Sequence, residues 1–287
     1  MRVGVVGVGA MGLAMAGHVR AAGHEVLATD IDPAARDAAR AEGMEVRDDL
    51  AGLAPEVEAV LVVVATDAQS RSVVEGLLAA GLPEGAMIAV AATNHPATMI
   101  ALEALCAPRG VGLIDAPVVY GLQGARQGTL GTLCGGAAEH VERLRPVLAS
   151  YSRFVEHVGG IGAGQLAKTC NNMLHWAACV ANYEALLLAK RWGVDAQRMR
   201  EILLQCPGRN VTLERWDTTR FTWHEKDMDV ALDLAQEGGL ALPLYGQVDQ
   251  LVKRLGPDRV RDLLHGAEAE YLGQRVVPLG REEGGLA

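Results

Sequence analysis

From Met1 to about His157 the chain alternates two hydrophobic patterns: short runs apolar at nearly every position, and Ala-rich stretches with the spacing of helices. Runs over residues 2–6, 25–29, 59–64, 87–91 and 111–115 are apolar on both faces, which predicts strands covered by helices on either side. Strands that alternate with helices pair in parallel, so the fold class expected is α/β with a doubly wound sheet. Two further β-like runs, 129–134 and 153–158, extend that sheet beyond five strands.

Past Gly164 the texture changes. From Gln165 to about Gly193 a long stretch keeps helical spacing without Pro or Gly, and everything downstream reads as helices and loops. The boundary is placed near residue 160, giving an α/β domain over residues 1–160 and an all-helical domain over 161–287. Residues 173–189 are apolar almost all round, broken only by His175, Asn182 and Glu184, which predicts burial between partners. A second copy of the chain would supply part of that cover, so a homodimer or homotetramer is expected. The last seven residues, 281–287, are Gly-rich and charged and are expected to fray.

The first strand runs straight into GVGAMG, which sets Gly7, Gly9 and Gly12 in a turn ahead of a helix, with Ala10 and Met11 between them. In such a turn the first glycine permits the bend, the second lets a pyrophosphate approach, and the third lets helix and strand close together. The helix N-terminus offers free N–H groups and partial positive charge to the anion. The next strand ends in an acid, Asp30, twenty-three residues after Gly7. Its carboxylate suits the adenosine ribose hydroxyls and repels a 2′-phosphate, and Ile31 stands where an NADP site often carries Arg. The cofactor expected is therefore NAD. Asp32, followed by Pro33, reads instead as a helix cap.

A second constellation is GIGAGQLAKTCNN at 160–172, a Gly-rich turn before a helix bearing Lys168, Asn171 and Asn172. Lys168 and Asn172 are four apart and share a helical face. The positive end of a helix and a partly dry cleft disfavour an ammonium, the condition under which a lysine exchanges protons near neutrality. Lys168 is thus a sufficient base for a hydroxyl that loses its hydride, and Asn172 a group to hold that hydroxyl or a carboxylate.

With these residues in place the chain resembles the β-hydroxyacid dehydrogenase family, within the 6-phosphogluconate dehydrogenase superfamily. The resemblance spans nearly the whole chain through GVGAMG, the DAPV…G..GA..GTL stretch from Asp115 to Leu130, the stretch from Gly162 to Asn172, and Lys226–Asp227. It implies a Rossmann domain followed by a helical domain, Lys168 as general acid/base, Asn172 as substrate ligand, and Lys226 closing over the nicotinamide side of the cofactor. The family's usual DAPVSGG reads DAPVVYG here, so Val119 replaces a serine, Tyr120 a glycine, and Gly121 alone is unchanged. The usual Ser-Thr pair after the fifth strand reads Ala92–Thr93, which leaves Thr93 on the cofactor side. Losing a hydroxyl that binds a charged group forgoes about 1.5–3 kcal/mol. The expected substrate is bulkier or less polar than 3-hydroxyisobutyrate or lacks the usual carboxylate altogether, with Tyr120 offering a new hydroxyl; the alternative is that Val119 and Tyr120 only repack the loop.

Bulk properties narrow the alternatives. A net charge of −9 without any Lys/Arg run argues against nucleic acid. Cys106, Cys134, Cys170, Cys179 and Cys206 are scattered and never spaced CxxC, which suits a reducing cytoplasm and predicts no metal site. His95, His157, His175 and His224 have no metal-ligand spacing; His95 falls where it would line the crevice, and His175 on the face of Lys168. Trp216, Phe221 and Trp223 precede Lys226 and read as cavity wall or core. The N-terminal run is too short for a signal peptide, and no stretch reaches the roughly 18 apolar residues of a membrane span. Two rival readings, an imine or carbonyl-analogue reductase and an inactive NAD-binding sensor, both sit poorly with a retained Lys168.

Overall fold

A computed structural model describes residues 1–286, which form two compact units, Met1–Lys168 and the chain from Thr169 onward. In the first unit the apolar runs become β1 (Arg2–Val6), β2 (Glu25–Thr29), β3 (Glu45–Val46), β4 (Ala59–Val62), β5 (Met87–Val90) and β6 (Gly112–Asp115). These six lie in the order β3-β2-β1-β4-β5-β6, every pair parallel. Strand order reverses about β1, and at such a switch point the carboxyl ends of the strands open into a crevice. Beyond β6 the sheet continues through β7 (Val118–Val119), β8 (Leu130–Gly135) and β9 (Ser152–Gly159). β8 runs antiparallel to β6 and β7, and β9 parallel to β8. The two-residue strands β3 and β7 are too short to carry a pattern of their own.

Between the strands run α1 (Ala10–Ala21), α2 (Pro33–Ala41), α3 (Leu50–Leu53), α4 (Asp67–Ala79), α5 (Pro96–Cys106), α6 (Gly121–Gln127) and α7 (Ala138–Ala149). Their starts are written locally. Asp32 accepts from the Ala34 N–H with Pro33 in the first turn, and Thr66 and Gln69 form a reciprocal capping box at α4. Because side chains alternate along a strand, the sheet feeds two apolar layers. Val3, Val5 and Leu61 enter one with Met15, Val19, Ile114 and Leu144, while Val6, Val60 and Val62 enter the other with Leu77, Ile88, Met99 and Leu102.

The boundary between the units falls inside α8 (Ala163–Arg191), a helix of 29 residues. The second unit adds α9 (Ala196–Leu203), α10 (Val211–Glu214), α11 (His224–Glu237), α12 (Pro243–Val252) and α13 (Pro257–His265). Its core gathers Trp176, Cys179, Tyr183 and Leu186 of α8 with Trp216, Met228, Val252 and Leu263. Two expectations are amended here. A short antiparallel hairpin, β10 (Ala269–Tyr271) with β11 (Gln274–Val276), interrupts the helices, held in part by the Tyr183 hydroxyl donating to the Glu270 carbonyl at 2.9 Å. The tail, as far as residue 286, is docked rather than frayed: the N–H groups of Leu279, just ahead of it, and Leu286 donate to the carbonyls of Arg191 and Trp192, satisfying acceptors at the end of α8, while residue 287 lies outside the described residues. Among the described residues no helix is long and apolar enough to cross a membrane, and no group of three His, Cys, Asp or Glu side chains is arranged to hold a metal.

Candidate active site

The glycine turn follows β1 at the switch point. Gly7 has φ +93°, a conformation side chains rarely tolerate, and a Cβ there would overlap the Val63 carbonyl oxygen. Gly12 is buried, and a Cβ there would overlap the Gly7 carbonyl, so helix and strand are in backbone contact. Gly9 is the opposite case: it is exposed, and a Cβ would meet no protein atom within 4 Å. Gly9 also N-caps α1 without a side chain, so the N–H groups of Ala10 and Met11 open the helix with no side-chain cap. The Asp30 carboxylate lies against this turn, accepting from the Val8 N–H at 2.8 Å and the Asp32 N–H at 2.9 Å. Each oxygen keeps a second lone pair, which leaves acceptors for a ribose diol. An open anion cradle at a helix start with a fixed carboxylate beside it fits the adenosine and pyrophosphate of a dinucleotide.

The other residues of the first unit cluster on segments leaving the carboxyl ends of β5 and β6. Thr93 is half-buried in the loop after β5, and His95, two residues on, caps α5 through Nδ1. Val119 lies in β7, 8% exposed, opposite Gly131. Tyr120 follows with φ 80°, one of two non-glycine residues in the left-handed region among the described residues, the other being Leu272. That conformation costs a non-glycine residue about 1–2 kcal/mol. The cost is met by packing: Arg153 of β9 places its guanidinium 4.1 Å from the Tyr120 ring centroid and donates to the Tyr120 hydroxyl. The new hydroxyl is therefore already engaged. What Tyr120 and Gly121 present at the start of α6 is backbone N–H.

Lys168 is half-buried on the second turn of α8, and Asn172, one turn later, is 8% exposed and accepts from Asn171 Nδ2 at 3.1 Å. What anchors this helix is a set of residues to which no role was given from sequence. Asp115, the last residue of β6, is fully buried and accepts from the N–H groups of Gly162 at 2.6 Å and Gln165 at 2.8 Å. Gln165 accepts in turn from the Asn94 N–H and donates to the Ala92 carbonyl. Only the side chain of Gln165, a polar residue on the first turn of an apolar helix, signalled this in the sequence.

In the second unit, Lys226 is half-buried in the first turn of α11, next to Asp227, whose carboxylate accepts from Trp176 Nε1 at 3.0 Å. His175 bonds Thr212 at 2.9 Å and packs on Trp176. Trp216 is core, Phe221 lies 6.1 Å from Trp176 between ring centroids, and Trp223 is exposed.

Comparison with known proteins decides which family carries this geometry. Residues 2–160 match the model for the NAD binding domain of 6-phosphogluconate dehydrogenase, more than half of the chain. Residues 162–270 match that for the NAD-binding region of NADP-dependent 3-hydroxyisobutyrate dehydrogenase. The chain belongs to the β-hydroxyacid dehydrogenase family. It is 34% identical over 220 residues to a 3-hydroxyisobutyrate dehydrogenase of Pseudomonas aeruginosa, covering 75% of this chain and 73% of that protein. A 2-(hydroxymethyl)glutarate dehydrogenase of Eubacterium barkeri is 28% identical over 302 residues, covering 99% and 92%. Among solved structures, a Mycobacterium tuberculosis 3-hydroxyisobutyrate dehydrogenase with L-serine superposes with a TM-score of 0.82 at 27% identity, covering 92% and 99%. This β-hydroxyacid dehydrogenase is accordingly an NAD-using oxidoreductase of CH–OH substrates, as the glycine turn and Asp30 led one to expect.

Proposed function

We propose that this β-hydroxyacid dehydrogenase oxidises the hydroxyl of a small molecule, a 3-hydroxy acid or a bulkier and less polar relative, with Lys168 as general acid/base. The observation that carries this reading is the anchorage of α8. Its first turn is tied to the carboxyl ends of β5 and β6, the same edge of the parallel sheet from which the Gly7 turn departs. Gly7, Gly9, Ala10, Met11, Gly12 and Asp30 hold the cofactor, with Thr93 and Lys226 in the nicotinamide-side roles that the family resemblance implies. NAD, held by these residues, would supply the hydride acceptor for the carbinol carbon. Lys168 Nζ takes the hydroxyl proton as the carbonyl forms, and returns it in the reverse direction. Asn172, one turn along the same helix, holds the substrate hydroxyl or carboxylate.

Val119 and Tyr120 set the substrate class. With no serine hydroxyl at 119 and the Tyr120 hydroxyl engaged by Arg153, a carboxylate has the N–H groups of Tyr120 and Gly121 to bind. The test is NADH formation across a panel of 3-hydroxy acids, alkyl and aryl alcohols, and amines. Turnover confined to amines would overturn the reading. The Val119→Ser/Tyr120→Gly variant should gain on small 3-hydroxy acids by about tenfold or more in kcat/KM, the equivalent of about 1.5–3 kcal/mol. Unchanged kcat/KM on those acids would show that the two residues only pack the loop.

The same reading extends to assembly and compartment. Leu174 and Leu188 on α8 are 67% and 62% exposed, apolar surface that a second copy in a homodimer or homotetramer would cover. All five cysteines are free, as suits a reducing cytoplasm.

A further inference from the structure

Asp115 is a buried ionisable group to which the reaction assigns nothing. It is also not cheap to keep: burial pushes its carboxyl upward, against the pull of the N–H groups of Gly162 and Gln165. A helix start can be capped as well by a neutral Ser, Thr or Asn, so a fully buried carboxylate brought in from a strand 47 residues away calls for a further reason.

The surroundings supply one. Asp115 ends β6, and Gln165, itself fully buried, accepts from the Asn94 N–H at 2.9 Å and donates to the Ala92 carbonyl at 2.8 Å, just past β5. The first turn of α8 is thereby fastened to two adjacent strands at once. Packing leaves it no slack. A Cβ at Gly164 would come 2.6 Å from Asp115 Oδ2 and overlap the Leu133 carbonyl, and one at Gly135 would overlap Asp115 Oδ1. An α-helix turns about 100° per residue, so the azimuth of Gln165 dictates that of Lys168 three positions on. A small rotation of this turn is magnified at the end of a long side chain, and misplacing a reacting group by about 1 Å can cost about 100-fold in rate.

We infer that Asp115 is a positioning residue for Lys168, its carboxylate setting the rotation of the first turn of α8 and so the placement of the amine. This rests on Lys168 being the acid/base.

A double-mutant cycle tests it, using Asp115→Asn, Lys168→Ala and their combination, with NADH affinity and thermal midpoint followed alongside. Asn keeps the shape but turns a donor toward one N–H. Asp115→Asn should lower kcat about 10–100-fold while KM changes less and NADH affinity stays within about twofold. In the Lys168→Ala background it should lower the residual turnover by less than about twofold, because the two residues act through one step. Equal factors in both backgrounds would show a merely structural role and overturn the inference, as would wild-type kcat in Asp115→Asn. Should Asp115→Asn fail to fold, Gln165→Met, which loosens the same turn from β5, carries the cycle with the same criteria. Full turnover in Lys168→Ala alone would instead remove the acid/base reading, and the inference with it.

Discussion

Gly9→Val is expected to weaken NADH binding by at least about 100-fold, or about 3 kcal/mol, while the thermal midpoint stays within about 3 °C of the parent. Gly9 sits in an extended conformation, φ −62° and ψ −171°, that valine also adopts, and its Cβ would enter open space. Nothing in the protein suffers; the volume lost is that of the pyrophosphate approaching the first turn of α1. Gly12→Val should behave differently. Its Cβ falls on the Gly7 carbonyl in the interior, so the turn must open, with overpacking of about 1–3 kcal/mol or more and a matching fall in thermal midpoint. Isothermal NADH titration beside thermal denaturation separates the two. Normal NADH affinity in Gly9→Val would mean that the cofactor does not sit in this cradle.

Lys168→Ala is expected to lower kcat by about 10²–10⁴ with NADH affinity unchanged, the range found when a general acid/base is removed. Lys168→Arg should be nearly as impaired. Arginine keeps the positive charge but cannot surrender its proton, so the pair separates proton transfer from simple charge complementarity. Stopped-flow turnover with saturating NAD would give both values.

The Rossmann part of this protein is written plainly in its sequence because β1, β4, β5 and β6 are covered on both faces and the starts of α2, α3, α4 and α5 carry side-chain caps. Val3, Val5 and Val6 point into two different cores, so β1 had to be apolar throughout. Asp32–Pro33 stops one element and starts the next with no tertiary help. The glycine turn was legible for a similar reason: Gly7 and Gly12 answer to backbone contacts with the segment after β4 and with the turn itself, while Gly9 faces open space.

The proposed catalytic end was only half legible. Lys168 and Asn172 share a face by helical spacing, but spacing does not reveal what holds that helix. The anchor joins Asp115 to Gly162 and Gln165, 47 and 50 residues apart, and no local pattern encodes a carboxylate whose partners are backbone N–H groups. The fate of Tyr120 was hidden likewise. No local pattern ties the Tyr120 hydroxyl to Arg153 of β9, which donates to it. The hairpin β10–β11 escaped because three-residue strands have no periodicity to detect. The docked tail was missed because its hydrogen bonds are backbone to backbone and independent of side-chain type.

Amine rescue of the Lys168→Ala protein tests the central chemistry most directly: oxidation rate is followed against a series of small primary amines of graded basicity. If Lys168 Nζ takes the hydroxyl proton, turnover returns with added amine and rises with its basicity, while NADH affinity stays constant. Wild-type turnover in Lys168→Ala with no amine present would show that the proton leaves by another route.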